Sequence, residues 1–267
     1  MVFAVLLSVG AVFTPATAKS FASTLAIVTL AYSLFEVGYI DRLLEARASR
    51  CAGLAEEFDC RVFEIERNQN FTKTDTDHTI DALSAGMSHR RRAGLKDWYS
   101  DRLGEVPKPV AALVAQYTST AYDQGLRLFY LRILRVVTVV LCAAILVYMV
   151  WQDQKFRDSW VIFAVPFLPI LVWLIKATVA NCAIVESQEA ALRLIEQQWE
   201  LVRKRRLTHH ALAQVVRDNQ DALYCRRSNP SLVFPRLYAL YRPHLESRAS
   251  KKSEQLVSEY LSGEREV

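Results

Sequence analysis

This chain of 267 residues has neither a disulfide framework nor a zinc pattern. Its five cysteines (Cys51, Cys60, Cys142, Cys182 and Cys225) are scattered without a CxxC pair, and two fall inside apolar runs. They read as small buried apolar side chains. The five histidines, His78, His89, His209, His210 and His244, form no HExxH or other metal spacing. There is no P-loop, no GxGxxG after a strand and no GxSxG elbow. Only residues 60–66 alternate in the manner of a strand, which leaves the usual α/β enzyme scaffolds without a sheet. Carboxylate pairs such as Glu56 and Glu57 are expected on solvated helix faces. The expectation is a protein that is not an enzyme, with no catalytic residue, no metal and no cofactor.

What the chain does have is segregation. It is 52% hydrophobic yet 23% charged, and the charges sit between bunches of apolar residues. Four apolar runs stand out, at residues 2–13, 21–40, 136–151 and 160–185. A bilayer core of about 30 Å needs about 20 apolar helical residues. The second and fourth runs meet this. The third meets it by extending back through Leu128 to Leu131, with Arg132 and Arg135 snorkelling to the interface and Tyr148, Trp151 and Trp160 in an aromatic belt at the far end. The short first run reads as a retained span or, given Ala16-Thr17-Ala18 behind it, as a cleaved signal segment; it lacks the basic residues that precede one. Residues 40–130 hold thirteen Lys and Arg and residues 186–267 fourteen, against Lys19 in one short loop and Lys155 and Arg157 in the other. Basic loops stay inside, so both large segments are expected in the cytoplasm, with both termini.

The expected fold is mainly α: a membrane protein with four transmembrane helices in two hairpins and a helical cytoplasmic region built from helix extensions. Residues 1–40 form the first hairpin, 41–130 a cytoplasmic helical region, 131–185 the second hairpin and 186–267 a cytoplasmic tail. Asp41 to Glu57 continues the second span as a helix, with Leu43, Leu44, Ala48, Cys51 and Leu54 near one face. Residues 60–66 are a strand packed on helices, or extended chain. Thr74 to Asp77 offers caps for a helix reaching Ser88. Pro107 and Pro109 start a helix that runs unbroken, Gly125 apart, to Trp151. The fourth span extends likewise, with Leu192, Ile195, Trp199 and Val202 at a/d-like spacing.

Within the spans, Pro166 and Pro169 suggest a kink or a gating hinge. No stripe of acidic or amide side chains declares an ion channel, so any pore is lined by small or hydroxylated groups such as Thr138, Ala143, Ala144, Thr178, Ala180 and Asn181. Outside the spans, the stretch HRRRAGLKDWYS at 89–100 joins bases to aromatics. Arg90, Arg91, Arg92 and Lys96 can meet phosphates while Trp98 or Tyr99 stacks on a base. A second basic group, Arg203 to Arg206, reads more simply as attraction to anionic lipid.

Several short motifs occur in a telling order. FDCRVF at 58–63, followed by Asn68, resembles an "FDxxVF…N" element. Leu95 to Tyr99 resembles "LKDWYP". Gln116, with Tyr122, Asp123, Leu126, Arg127 and Tyr130, resembles the helix that follows. Gln220, Asp221, Leu223, Tyr224 and Arg227 match "QDxIYxxR", and Pro235, Tyr238, Arg242 and Glu246 a terminal "P…Y…R…E". Over residues 20–247 the chain thus resembles the SMODS-associated four-transmembrane effectors of bacterial antiphage defence. It departs from them at Ser100, where proline is usual, and at Arg67, where tryptophan is common. Relatives also begin with a cytoplasmic helix, which makes the first run look like a truncated span.

The resemblance implies a bacterial inner-membrane effector of abortive infection. It would sense a cyclic oligonucleotide made by a cognate nucleotidyltransferase, then oligomerise or open to disrupt the bilayer. Its partners would be lipid, copies of itself and that ligand, with no DNA or RNA polymer. Arg127, Arg227 and Arg242 join the ligand candidates through the shared motifs, and Asp97 and Asp221 are expected to pair with Arg127 and Arg227. The alternative is a constitutive membrane scaffold that recruits a soluble partner without pore activity. A small transporter is disfavoured by the absence of midplane polar residues and internal repeats.

Overall fold

The run from Lys108 to Trp151 has no residue that would stop a helix once its two prolines are spent in the first turn, and it forms one helix of 44 residues. A computed structural model of the chain describes residues 39, 41–71, 77–89, 98–151, 165–228 and 234–265. These hold α1 (Asp41–Phe63), α2 (Asp77–Ala85), a 3-10 turn at Asp101–Glu105, α3 (Lys108–Trp151), α4 (Val165–Arg203), α5 (His209–Arg227) and α6 (Pro235–Arg265). No strand occurs among the described residues. The strand candidate at 60–66 is instead the end of α1 and the irregular chain after it. Helix wins there because Asp59, Cys60 and Phe63 fall on one buried face.

Two helix ends use left-handed residues other than glycine. Glu64 (φ 57°) closes α1 and Arg205 (φ 52°) closes α4. In each case the next residue bonds back five positions, Ile65 N–H to Cys60 O at 3.1 Å and Arg206 N–H to Leu201 O at 2.9 Å, the pattern that satisfies orphan carbonyls. At the other polarity, the Thr208 hydroxyl accepts from Ala211 N–H at 3.3 Å and caps α5. Ser100, which caps the 3-10 turn, has φ −63° and ψ 135°. That is the conformation proline would lock, so serine at this position keeps the same chain path.

The chain divides into two compact units, one of Glu45–Arg127 with Ile184–Val267, the other of Met1–Leu44 with Leu128–Ala183. The first has an ordinary hydrophobic core. Residues 110–115 of α3 are buried on every side, Ala112, Leu113 and Val114 completely. Around them pack Phe63, Ile195, Trp199, Val202, Leu212, Val216, Leu256 and Val257. Ile195, Trp199 and Val202 are thus core residues, as their spacing suggests. Gly125 brings α3 against α6, since a Cβ there would meet the Leu245 side chain at 2.8 Å.

The second unit is different in kind. The most apolar windows of α3 and α4 have mean hydropathies of 2.2 and 1.6, yet only 17% and 22% of those windows is buried. A core helix of a soluble protein would show the opposite. Val136, Val139, Val140, Leu146, Val147 and Val150 of α3 are each more than half exposed, as are Ile175 and Val179 of α4. Helices α3 and α4 are thus long and apolar enough to cross a membrane, with contiguous valine and leucine exposed. The runs at 2–13 and 21–40 lie outside the described residues except for Tyr39.

Candidate functional site

The buried face of α1 is not the one expected. Ala52, Glu56, Asp59, Cys60 and Phe63 are buried; of the expected face, Leu44, Ala48 and Leu54 are half-buried, whereas Leu43 and Cys51 are exposed. Glu56, expected on a solvated face, is 1% exposed and Asp59 is 3%. Two carboxylates at such depth need charged partners. Arg217 donates to Glu56 at 2.6 Å and also pairs with Asp221. Arg227 donates to Asp59 at 2.7 Å and to the Ser119 hydroxyl at 3.0 Å. The Gln220 amide donates to Glu56 at 2.8 Å and to Asp59 at 3.1 Å, and its carbonyl accepts from Gln116 at 3.0 Å. Tyr99 donates its hydroxyl to Asp59 at 2.6 Å, and Asn68 donates to Asp221 at 2.8 Å.

This network unites residues that lie far apart in sequence. Asp59 and Asn68, Tyr99, Gln116, and Gln220, Asp221 and Arg227 come from four separate motifs. The expected pairings are corrected in detail. Arg227 is held by Asp59 and Asp221 by Arg217, while Arg127 pairs with Asp123 one turn earlier at 2.9 Å. Asp97 lies outside the described residues. Asp59 falls between the helix expected to end at Glu57 and the alternation expected from Cys60, so neither expected element marks it as Arg227's partner.

Beside the network lies a cavity of about 750 Å³, within the range of small-molecule sites. Asp59, Tyr99, Arg227, Tyr122, Asp123, Arg127, Gln188, Trp98, Tyr238 and Arg226 are among its walls. Trp98 is 39% exposed and lies 5.6 Å from the Tyr122 ring, centroid to centroid. The Tyr122 and Tyr238 hydroxyls are 3.4 Å apart. Gln188 donates to Asp123, the same carboxylate oxygen that Arg127 engages.

Of the expected ligand residues, Trp98, Tyr99, Arg127 and Arg227 therefore share one cavity. Arg242 sits one turn beyond Tyr238 on α6 and is paired with Glu246 at 2.6 Å. Arg90, Arg91, Arg92 and Lys96 lie outside the described residues. Arg203 pairs with Glu200 at 2.9 Å, and it is 18 residues past Val185 on the same helix, about 27 Å of rise. Pro166 and Pro169 fall at the start of α4. Thr178 donates to Leu174 O at 2.7 Å and Asn181 to Ala177 O at 2.8 Å, each bonding back to its own helix. Arg226 was not singled out by the sequence; its only signal is adjacency to Arg227 in the motif.

The titrating groups carry the marks of burial. Burial would lower the Arg227 guanidinium, but the Asp59 carboxylate, with Tyr99 beside it, holds it above the ordinary arginine value. Arg226 goes the other way: burial lowers it, and the Arg227 charge lowers it further. The Tyr99 phenol is raised by burial and by Asp59. Burial, with Glu56 next, pushes the Cys60 thiol up to about 12 from the ordinary 9.0. A neutral thiol thus stabilises the fold fully below pH 9.0, and this contribution is lost as pH rises from there towards about 12. At pH 8 an alkylating agent is expected to label exposed Cys51 and Cys225 in the native chain and to spare Cys60. Peptide mapping by mass spectrometry checks this, and equal labelling of Cys60 would contradict its burial.

No group of His, Cys, Asp and Glu able to hold a metal occurs among the described residues. Compared with known proteins, no curated protein and no solved structure matches the chain. A family model does, that of the SMODS-associating 4TM effector domain, over residues 1–256. Its reach covers the apolar helices, the polar network and the cavity together, and the chain belongs to the SMODS-associating 4TM effector family.

Proposed function

We propose that the chain is an inner-membrane effector of antiphage abortive infection, multi-pass with both termini in the cytoplasm. Its helical part receives a cyclic oligonucleotide from a cognate nucleotidyltransferase, and its spans oligomerise or open to disrupt the bilayer. Its action is binding and membrane disruption, not catalysis. The family's link to SMODS signalling supports the ligand class. One observation carries the rest of the reading. Helix α3 bears the cavity residues Ser119 to Arg127 and then, without a break, the exposed apolar length of residues 128–151. Helix α4 bears Gln188 of the cavity and an exposed apolar length in the same way. A ligand that moves either cavity wall acts on a helix that is also a span, with no linker to absorb the movement.

The test is dye release from liposomes of bacterial lipid carrying the full-length protein. Addition of cyclic di-AMP, cyclic GMP–AMP or cyclic tri-AMP is expected to release dye with at least one of them. Release with none, together with intact reconstitution, favours a constitutive scaffold that recruits a soluble partner. Reversing the charge of Arg90, Arg91 and Arg92 tests that segment separately. Unchanged ligand binding and unchanged toxicity in cells would remove it from the site.

A further inference from the structure

Among the described residues of the cavity, one arginine is left without an ion-pair partner. Arg127 is paired with Asp123 and Arg227 with Asp59, but Arg226 makes no ion pair or hydrogen bond among the described residues. Among the described residues of the walls, three guanidinium groups thus face two carboxylates, and Asp123, already engaged by Arg127, is the carboxylate that acts on Arg226. A half-buried cation left in this state beside Arg227 is unfavourable for the empty protein. A second group is also unmet. The Gln188 side chain is 1% exposed, its amide N–H is spent on Asp123, and its carbonyl oxygen is buried without a partner. Buried polar groups are rarely left this way, and both of these line the same cavity.

We propose that Arg226 and Gln188 form the recognition pair for one nucleotide unit of the ligand. Arg226 takes a single phosphodiester, and the Gln188 carbonyl accepts an N–H from the attached base. The remaining walls fit that base: Trp98 presents a partly exposed indole, with Tyr122 and Tyr238 behind it. A planar ring with an N–H edge suits aromatic walls and an acceptor; a simple carboxylate ligand would use only Arg226. Among the described wall residues Arg226 alone is uncommitted, which matches one phosphate. A second would need an arginine already committed to Asp59 or Asp123, and freeing it strands a carboxylate. The remaining phosphates of a cyclic ligand would therefore lie outside this cavity. This assignment rests on the reading that the ligand is a cyclic oligonucleotide.

The experiment compares wild type, Arg226→Gln and Arg226→Lys as full-length protein in nanodiscs. Calorimetric titration with cyclic di-AMP, cyclic GMP–AMP and cyclic tri-AMP is followed by thermal unfolding without ligand. Loss of a charge-assisted contact is expected to weaken the tightest of these by about ten- to a hundredfold in Arg226→Gln. Arg226→Lys should retain part of the affinity. In the absence of ligand, Arg226→Gln should melt at or above the wild-type temperature, because an unpaired cation has been removed; a merely structural arginine would melt lower when replaced. Equal binding by wild type and Arg226→Gln, or a lower melting temperature for Arg226→Gln, overturns the assignment and leaves the signalling reading standing. Failure of wild type to bind any of the three nucleotides overturns both.

Discussion

Replacing Asp59 by alanine is expected to lower the stability of the helical unit by about 3–5 kcal/mol, the cost of leaving a buried ion unpaired. For a unit of this size that corresponds to a fall of about 6–20 °C in melting temperature. The carboxylate is 3% exposed and serves Arg227, Tyr99 and Gln220 at once. Its loss strands a guanidinium, a phenol and an amide from three different parts of the chain. The double variant Asp59→Ala with Arg227→Met should lose clearly less than the sum of the two single changes, because the second removes the charge the first has orphaned. Glu105→Ala is the control. Its pair with Arg102 is open to solvent on both sides, 46% and 38% exposed, and surface pairs of this kind contribute little. Thermal unfolding of the full-length protein in nanodiscs measures all of these. If Asp59→Ala melts within 2 °C of wild type (about 1 kcal/mol or less), the network does not hold the unit together.

Val139→Lys is expected to have the second large effect, on insertion and not on folding of the helical unit. Val139 is 67% exposed and lies near the middle of the apolar length of α3. Exchanging valine for lysine at the centre of a span shifts insertion by about 3–4 kcal/mol. The variant should therefore be depleted from alkali-resistant membrane pellets and should lose toxicity in cells. The same change on an ordinary water-facing helix would alter stability by about 0.5 kcal/mol at most. The two environments thus give opposite answers. A Val139→Lys protein that stays fully membrane-integrated would show that this face does not meet lipid.

How much of this was legible beforehand depends on which periodicity each helix carries. The long helices announced themselves, because α3 has no interior proline and its apolar length is plain in the residue order. Much of the interior of α1 could not be read in this way. Its buried face contains Glu56 and Asp59, so a search for apolar spacing selected Leu43 and Cys51 instead, which are exposed. The partners that make those carboxylates tolerable sit on α5, more than 150 residues later, and no local rule points to them. The helix ends were hidden for a second reason. Glu64 and Arg205 adopt left-handed conformations that glycine usually marks. Among the ligand candidates, Trp98, Tyr99, Arg127 and Arg227 came from short motifs and share one cavity. Arg226 did not, since only the pairing of its neighbours exposes it as the arginine left over.

The span of those pairings bears on the order in which the protein can become active. Asp59 waits for Arg227, 168 positions later, and Asn68 for Asp221, 153 positions later. At about 5–20 residues per second, the ribosome takes roughly 8–34 s to make the stretch from Asp59 to Arg227. Helices α3 and α4 are complete before Arg227 emerges. Until then Glu56 and Asp59 stay solvated and the cavity lacks Arg226, Arg227 and Tyr238. A chain stopped short of Arg226 therefore carries α3 and α4 but neither the finished cavity nor the cation that holds Asp59. The apolar helices are made before the site on which the proposed signal would act.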